Sequence, residues 1–128
     1  RRFDWLLHTA RRMEIDERKQ RLVVRGQRSE AVITMLQPAR LQFQQDDDFG
    51  GHPAVYWRFG KNFPLPNQWH LKATPAPAVE QRFLAVIQVS QVGAAQPEVI
   101  STSSGVRTAG WEVRFDEANR RLKVLPAP

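Results

Sequence analysis

The 128-residue sequence contains no cysteine, a single tyrosine and no long apolar run. Without cysteine the chain has no disulfide, no thiolate metal site and no thiol nucleophile. Its longest apolar stretches, such as Phe83–Ile87, are far too short to span a bilayer, so we expect no membrane partner. A chain of this length fits a single domain over residues 1–128 with a core of its own.

Acidic residues are outnumbered by basic ones: 13 Asp and Glu stand against 19 Lys and Arg, which gives a formal net charge of +6. This excess favours polyanionic neighbours such as an acidic polysaccharide, a nucleic acid or an anionic membrane surface. A basic, solvated surface without a specific partner explains the same excess. Charge alone therefore does not choose among these interpretations.

Helical periodicity is also missing. The one serious candidate, residues 14–24, is rejected because Ile15, Leu22 and Val24 do not recur at helical spacing. Short alternating or β-branched segments separated by polar turns predict an all-β fold, an antiparallel β-sandwich of about eight to ten strands. The predicted strands are Phe3–Thr9, the hairpin Arg11–Gly26, Ala31–Leu36, Leu41–Gln44, Asn67–Ala73, Arg82–Val89, Val99–Thr102, Trp111–Phe115 and Arg121–Leu125.

Three details of these strands are specific enough to test. Alternation in Phe3–Thr9 places Trp5 and Leu7 on one face and His8 on the other, because successive strand side chains point to opposite sides. Arg82–Val89 is the most continuously apolar segment and is predicted to be a central strand. The echo between residues 15–24 and 115–124 predicts two hairpins that share one turn chemistry, with Asp starting the loop.

Residues 46–66 combine glycines, prolines and acidic residues with many aromatics, which predicts a long ordered loop. In and just after it, Tyr56, Trp57, Arg58 and Trp69 mix aromatic rings with a cation. Aromatic faces stack on sugar rings or bases, and arginine pairs with carboxylate, sulfate or phosphate. These four residues are candidate substrate-binding residues. The alternative is that the aromatics close the edge of the sandwich or pack against another domain.

The three histidines, His8, His52 and His70, show no pair at the spacing of a helical metal motif. His70 lies on the polar face of its predicted strand and is a fifth candidate for substrate contact, with a plain surface role as the alternative. His8 beside a Trp-Leu-Leu run is typical of a hydrogen-bonded structural histidine. Any metal site requires histidine to meet Asp or Glu in space, which sequence does not reveal.

Phe3–His8, the hairpin after it, Asn67–Leu71 and Arg82–Val86 together resemble the C-terminal β-sheet region of heparinase II/III-like polysaccharide lyases. The resemblance implies a C-terminal β-sandwich domain of a longer chain, preceded by an α/α-toroid. Such enzymes cleave acidic polysaccharides, among them glycosaminoglycans and alginate, by β-elimination at a uronic acid. Only Arg1 and Arg2 precede the first strand, so we expect a fragment cut from a longer polypeptide.

In that family the toroid supplies the main Tyr and His chemistry, so the resemblance assigns no catalytic residue here and implies a structural or cleft-wall role. In some members the sheet region holds zinc through His and Asp, and His8 is the residue that would correspond. A periplasmic or secreted location follows from the same resemblance. The alternatives are a stand-alone module that binds acidic glycan or, less favoured, nucleic acid, and a domain that only stiffens a larger enzyme.

Overall fold

The computed structural model describes residues 1–47, 68–116, 118 and 121–127, and this part of the chain is all β. It contains eleven strands in three antiparallel sheets and no helix, which confirms the predicted class. The strands are β1 Trp5–Thr9, β2 Glu14–Asp16, β3 Arg21–Arg25, β4 Ser29–Gln37, β5 Gln42–Asp46, β6 Trp69–Thr74, β7 Leu84–Gln91, β8 Val99–Thr102, β9 Gly105–Thr108, β10 Trp111–Asp116 and β11 Arg121–Pro126.

The count exceeds the predicted eight to ten strands because Gly105–Thr108, which lies outside the predicted strands, pairs as β9. Within the described residues, no helix is long and apolar enough to cross a membrane. The chain divides into two compact units, Arg1–Val92 and Gly93–Pro128. The assignment of 1–128 to a single domain stays a prediction.

The first unit holds two sheets whose inner faces share one core, the arrangement of a β-sandwich. Sheet A has the order β1-β6-β5, and sheet B has the order β2-β3-β4-β7. Leu71 of sheet A and Leu22 of sheet B are almost completely buried. The remaining buried members of this core are Met13, Ile33, Met35, Leu41, Phe43 and Ala73, with Trp5, Leu7 and Trp69 among the half-buried side chains packed against it.

A side-chain amide joins the two sheets within this core. Gln45 of β5 accepts a hydrogen bond from the backbone N–H of Met13 at 3.1 Å and donates one to the carbonyl of Met13 at 2.8 Å. Met13 directly precedes β2 and is 2% exposed. Because buried main-chain groups must be paired, the amide replaces the ladder partner that Met13 lacks.

The inner strands of sheet B are β3 and β4 rather than β7. We predicted that Arg82–Val89 is central, but among the described strands β7 pairs only with β4 and lies at the end of the sheet. Strand β4 pairs on both sides, and its neighbouring residues Val32 and Ile33 are both buried although they point to opposite faces. The apolar run of β7 misleads because Ile87 and Val89 are 56% and 72% exposed.

The second unit is a four-stranded meander in the order β11-β10-β9-β8. One face carries Glu112, which is buried and receives two hydrogen bonds from the guanidinium of Arg114, at 3.0 and 3.1 Å. Arg107 approaches the same carboxylate at 3.7 Å. The hydrogen bonds from Arg114 are the main reason that the pKa of Glu112 lies below its ordinary value, with the charges of Arg114 and Arg107 adding to the effect.

The two predicted hairpins have the same register. Asp16 pairs with Arg21 and, in the second unit, Asp116 pairs with Arg121. In the first hairpin the carboxylate of Asp16 accepts a hydrogen bond from the backbone N–H of Lys19 at 3.1 Å. This is the aspartate-initiated turn that the sequence echo predicts.

Candidate polyanion-binding site

An open cleft of about 890 Å³ lies at one end of the first unit. Four segments line it: the residues before β1, the β2–β3 turn, the loop before β5 and the segment that follows β6. Its volume is within the range of sites that bind small ligands. The lining side chains include three arginines, Arg2, Arg18 and Arg40, and an apolar wall formed by Pro75, Ala76 and Pro77.

Gln20 fixes the shape of the cleft. Its side-chain amide accepts a hydrogen bond from the backbone N–H of Leu41 at 2.8 Å and donates to the carbonyl oxygens of Leu41 at 3.3 Å and Glu17 at 2.7 Å. Its backbone is left-handed, with φ at 50°, and its carbonyl accepts from Met35 at 2.9 Å. The amide thereby ties the β2–β3 turn to the loop before β5, and so holds the segments of Arg18 and Arg40 together.

Two of the three cleft arginines have no partner among the residues that the structure describes. Arg18 and Arg40 are exposed, and within the described residues neither guanidinium makes a hydrogen bond or an ion pair. Arg2 differs, because its Nε lies 3.5 Å from the carboxylate of Asp4. Guanidinium groups pair bidentately with carboxylate, sulfate or phosphate, so two unpaired arginines at a cleft favour an anionic ligand.

The acidic residue that lines the cleft is Glu17, next to Arg18 in sequence. Asp4 is not a lining residue, but it contacts one, Thr74. The hydroxyl of Thr74 donates a hydrogen bond of 2.6 Å to its carboxylate, and this bond is the main reason that the pKa of Asp4 lies below its ordinary value. The charges of Arg2 and Lys72 lower the pKa further. Asp4 is therefore ionised at neutral pH and pairs with Arg2. Glu17 brings one negative charge into the cleft against the three arginines, so the lining keeps an excess of positive charge.

The histidines that sequence treats separately are neighbours in space. His8 of β1 and His70 of β6 are register partners on the outer face of sheet A, and their ring centroids lie 4.3 Å apart. Asp46 of β5 is the register partner of His70 on its other side. The predicted faces of β1 and β6 are confirmed, since Leu7 and Leu71 point into the core between sheets A and B.

Two imidazoles do not make a zinc site by themselves, because zinc in proteins takes three or four protein ligands. No group of three or more His, Cys, Asp or Glu side chains in the described part of the chain is arranged to hold a metal ion. These residues alone therefore do not fit zinc. The assignment of His8 as a metal ligand stays a prediction.

The predicted substrate-binding residues fall into three groups. Tyr56, Trp57 and Arg58 lie outside the described residues. Trp69 is half-buried against the core, where the guanidinium of Arg12 lies 5.3 Å from its ring centroid. His70 is on the opposite face of the same strand, so the structure does not bring Trp69 and His70 to one surface. Substrate contact by any of these residues stays a prediction.

Sequence analysis missed the cleft arginines. Arg2, Arg18 and Arg40 are spread over the first 40 residues and share no motif, and each belongs to a different segment. The available signal was the polar turn 16–20, in which Gln20 supplies an amide that can bridge segments. That signal does not indicate what the amide pairs with.

No protein-family model matches the chain, and a search of the curated proteins finds no significant match.

Proposed function

We propose that this chain is a β-sandwich region of a heparinase II/III-like polysaccharide lyase and that its cleft binds the acidic polysaccharide. The observation that carries the proposal is a pair of arginines, Arg18 and Arg40, at an open cleft of about 890 Å³, where neither has a partner in the described part of the chain. In the parent enzyme, proton abstraction at a uronic acid becomes easier when the neighbouring carboxylate is neutralised. Guanidinium groups supply the needed positive charge.

The role assigned to this region is to bind and position the polysaccharide, while an upstream α/α-toroid in the same chain supplies the acid–base chemistry. Arginines on loops that a side-chain amide holds together are suited to positioning, because their segments are fixed before the ligand arrives. Pro75, Ala76 and Pro77 add an apolar wall against which the C–H groups of a sugar can pack. Together these features fit a carboxylated sugar chain.

A stand-alone module that binds acidic glycan is the second candidate. The lining residues that the structure describes all belong to the first unit, which suits a domain that binds its ligand by itself. Nucleic acid is the weaker ligand class, because single-stranded nucleic acids bind through stacked aromatic residues and the described lining of the cleft has none.

The proposal is tested by measuring the binding of the chain to alginate oligomers, heparin and duplex DNA at matched ionic strength. We expect Arg18→Gln combined with Arg40→Gln to weaken alginate binding by about 5- to 30-fold, since each partly solvated ion pair contributes about 0.5–1 kcal/mol. Binding to DNA should decline steeply with salt, as for any basic surface.

The matched control is Arg28→Gln combined with Arg121→Gln, which removes the same charge from exposed positions outside the cleft lining. We expect this control to bind alginate within about twofold of the unmodified chain. Equal losses in the cleft variant and the control would show that net charge alone, rather than the cleft, accounts for binding.

A further inference from the structure

We propose that Arg2 fixes the place in the cleft at which a sugar carboxylate binds, and that Asp4 is the positioning residue of Arg2. This inference rests on the proposed function and deepens it, because it names the arginine that determines where the carboxylate lies. Arg18 and Arg40 add positive charge, but neither has a partner in the described part of the chain that sets the direction of its guanidinium. Arg2 is held both through its main chain and through its guanidinium.

The main chain on both sides of Arg2 is fixed to the rest of the first unit. The backbone nitrogen of Arg1 donates a hydrogen bond to the carbonyl of Ala78 at 2.9 Å, and the backbone N–H of Ala78 donates one to the carbonyl of Arg1 at 3.1 Å. Ala78 directly follows the apolar wall Pro75–Pro77, and β1, which begins at Trp5, pairs with β6. Arg2 therefore lies in a segment that has little freedom left to lose when a ligand binds.

The guanidinium of Arg2 is held by Asp4. Its Nε lies 3.5 Å from Oδ1 of Asp4, and the hydroxyl of Thr74 donates a hydrogen bond of 2.6 Å to the same oxygen. Because Thr74 belongs to β6 and lines the cleft, the carboxylate that holds Arg2 is itself attached to the sheet. The hydrogen bond from Thr74 and the charge of Arg2 lower the pKa of Asp4, so this carboxyl group is ionised at neutral pH.

The Arg2 guanidinium keeps donors for a ligand. Its Nε faces Asp4, so the two terminal nitrogens are the donors that remain, and the side chain is 61% exposed. Two N–H groups on one edge of a planar guanidinium match the two oxygens of a carboxylate. A carboxylate bound to this edge is given a position and an orientation, whereas a guanidinium without a fixed direction supplies charge alone.

Asp4 affects an anionic ligand in two opposite ways. Its negative charge repels the ligand carboxylate, but across the guanidinium, at about 7 Å and physiological ionic strength, this repulsion changes affinity by less than about twofold. Its contact with Arg2 restricts a long side chain before the ligand arrives, which is worth about 2- to 10-fold in affinity. Positioning should outweigh repulsion. Removing the charge of Asp4 should therefore weaken binding, although it raises the formal net charge of +6 by one.

The test is calorimetric binding of an alginate disaccharide at neutral pH and physiological ionic strength. We expect Asp4→Asn, which keeps an oxygen to accept from Thr74, to weaken binding by about threefold. Arg2→Gln should weaken it by about fivefold. The matched control is Asp46→Asn, which removes the same charge from an exposed position outside the cleft lining and should bind within about twofold of the unmodified chain.

Combining Asp4→Asn with Arg2→Gln separates positioning from general damage to the cleft. If Asp4 acts through Arg2, its replacement causes no further loss of affinity once Arg2 is replaced. A loss that persists in the Arg2→Gln background would show instead that Asp4 supports the cleft as a whole, which would overturn the inference. Asp4 and Arg2 are not core residues, so we expect their variants to keep the fold, which thermal unfolding checks.

The outcomes also separate this inference from the proposed function. If Arg18→Gln with Arg40→Gln weakens disaccharide binding while Asp4→Asn strengthens it or leaves it unchanged, the positioning role is wrong and the cleft stands. Unchanged binding in Arg2→Gln has the same meaning. If the double variant of Arg18 and Arg40 leaves binding unchanged, the proposed function is overturned and the inference with it.

Discussion

Replacing Gln20 by alanine is the most direct test of how the cleft is held in shape. The change removes an amide that pairs with both main-chain groups of Leu41 and with the carbonyl of Glu17. Leu41 is 6% exposed, so its N–H and C=O have little access to water once the amide is gone. We expect the variant to fold but to lose stability in the first unit.

The size of the loss follows from the bonds. Leaving the N–H of Leu41 unpaired costs about 2 kcal/mol, and its carbonyl, whose bond is longer at 3.3 Å, costs about 1 kcal/mol. Alanine avoids the cost of ordering the glutamine side chain, which returns about 1 kcal/mol. The expected net change in the free energy of unfolding is therefore about 2 kcal/mol. With an m-value of about 1.5 kcal/mol/M, the urea midpoint falls by about 1.3 M.

The assay is urea unfolding followed by tryptophan fluorescence, to which Trp5 and Trp69 in the core of the first unit contribute. Gln27→Ala is the matched control, because Gln27 is exposed in the turn between β3 and β4 and makes no hydrogen bond within the described residues. We expect it to change stability by less than about 0.5 kcal/mol. Gln45→Ala should resemble Gln20→Ala, since Gln45 bridges to Met13 in the same way.

The reasoning is refuted if Gln20→Ala is as stable as the control while Gln45→Ala is destabilised. That result would mean that water replaces the amide at the open end of the sandwich. If both variants match the control, paired amides do not hold the two sheets together in this protein. Combining Gln20→Ala with Gln45→Ala tests whether the two amides act independently. We expect their losses of stability to add, because Leu41, the partner of Gln20, is about 13 Å from Gln45 along the chain.

Three further predictions concern the core and the second unit. Leu22→Ala should lower the free energy of unfolding by about 3 kcal/mol, because Leu22 is fully buried and leaves a cavity, and urea unfolding measures the loss. Gly105→Ala should destabilise the second unit, because a Cβ there overlaps the carbonyl oxygen of Val113, and hydrogen exchange of β9 and β10 should rise. Glu112 has a lowered pKa, so its interactions stabilise the folded chain above the ordinary glutamate pKa and are lost as the pH falls through the lowered value. The melting temperature of Glu112→Gln should therefore depend less on pH below about pH 5 than that of the unmodified chain. An equal dependence in both proteins would contradict this.

Much of the local structure was predictable because it depends on neighbours in sequence. Alternation determines which side of a strand each residue occupies, so the core positions of Trp5 and Leu7 and the outer position of His8 were predicted correctly. The shared register of the two Asp-initiated hairpins follows for the same reason, because turn and strand residues lie within ten positions of each other.

The errors have physical causes as well. Strand β9 was missed because Gly105 resembles a turn residue, whereas its missing side chain is needed for a close approach to Val113. Strand β7 was predicted to be central because it is apolar, but apolar composition does not specify which strands lie beside it. Both features depend on pairing with another segment.

By itself, the sequence determined the all-β class, the strand faces and the excess of positive charge, since these depend on residue type and on periods of two. Only the tertiary structure decided that β1 pairs with β6, about 60 residues away, and so placed His8 beside His70. It also brought Arg2, Arg18 and Arg40 to one cleft, with the amide of Gln20 joining the segments of Arg18 and Arg40. Such contacts join distant segments, and no local pattern encodes which distant segment a strand end or a turn will meet.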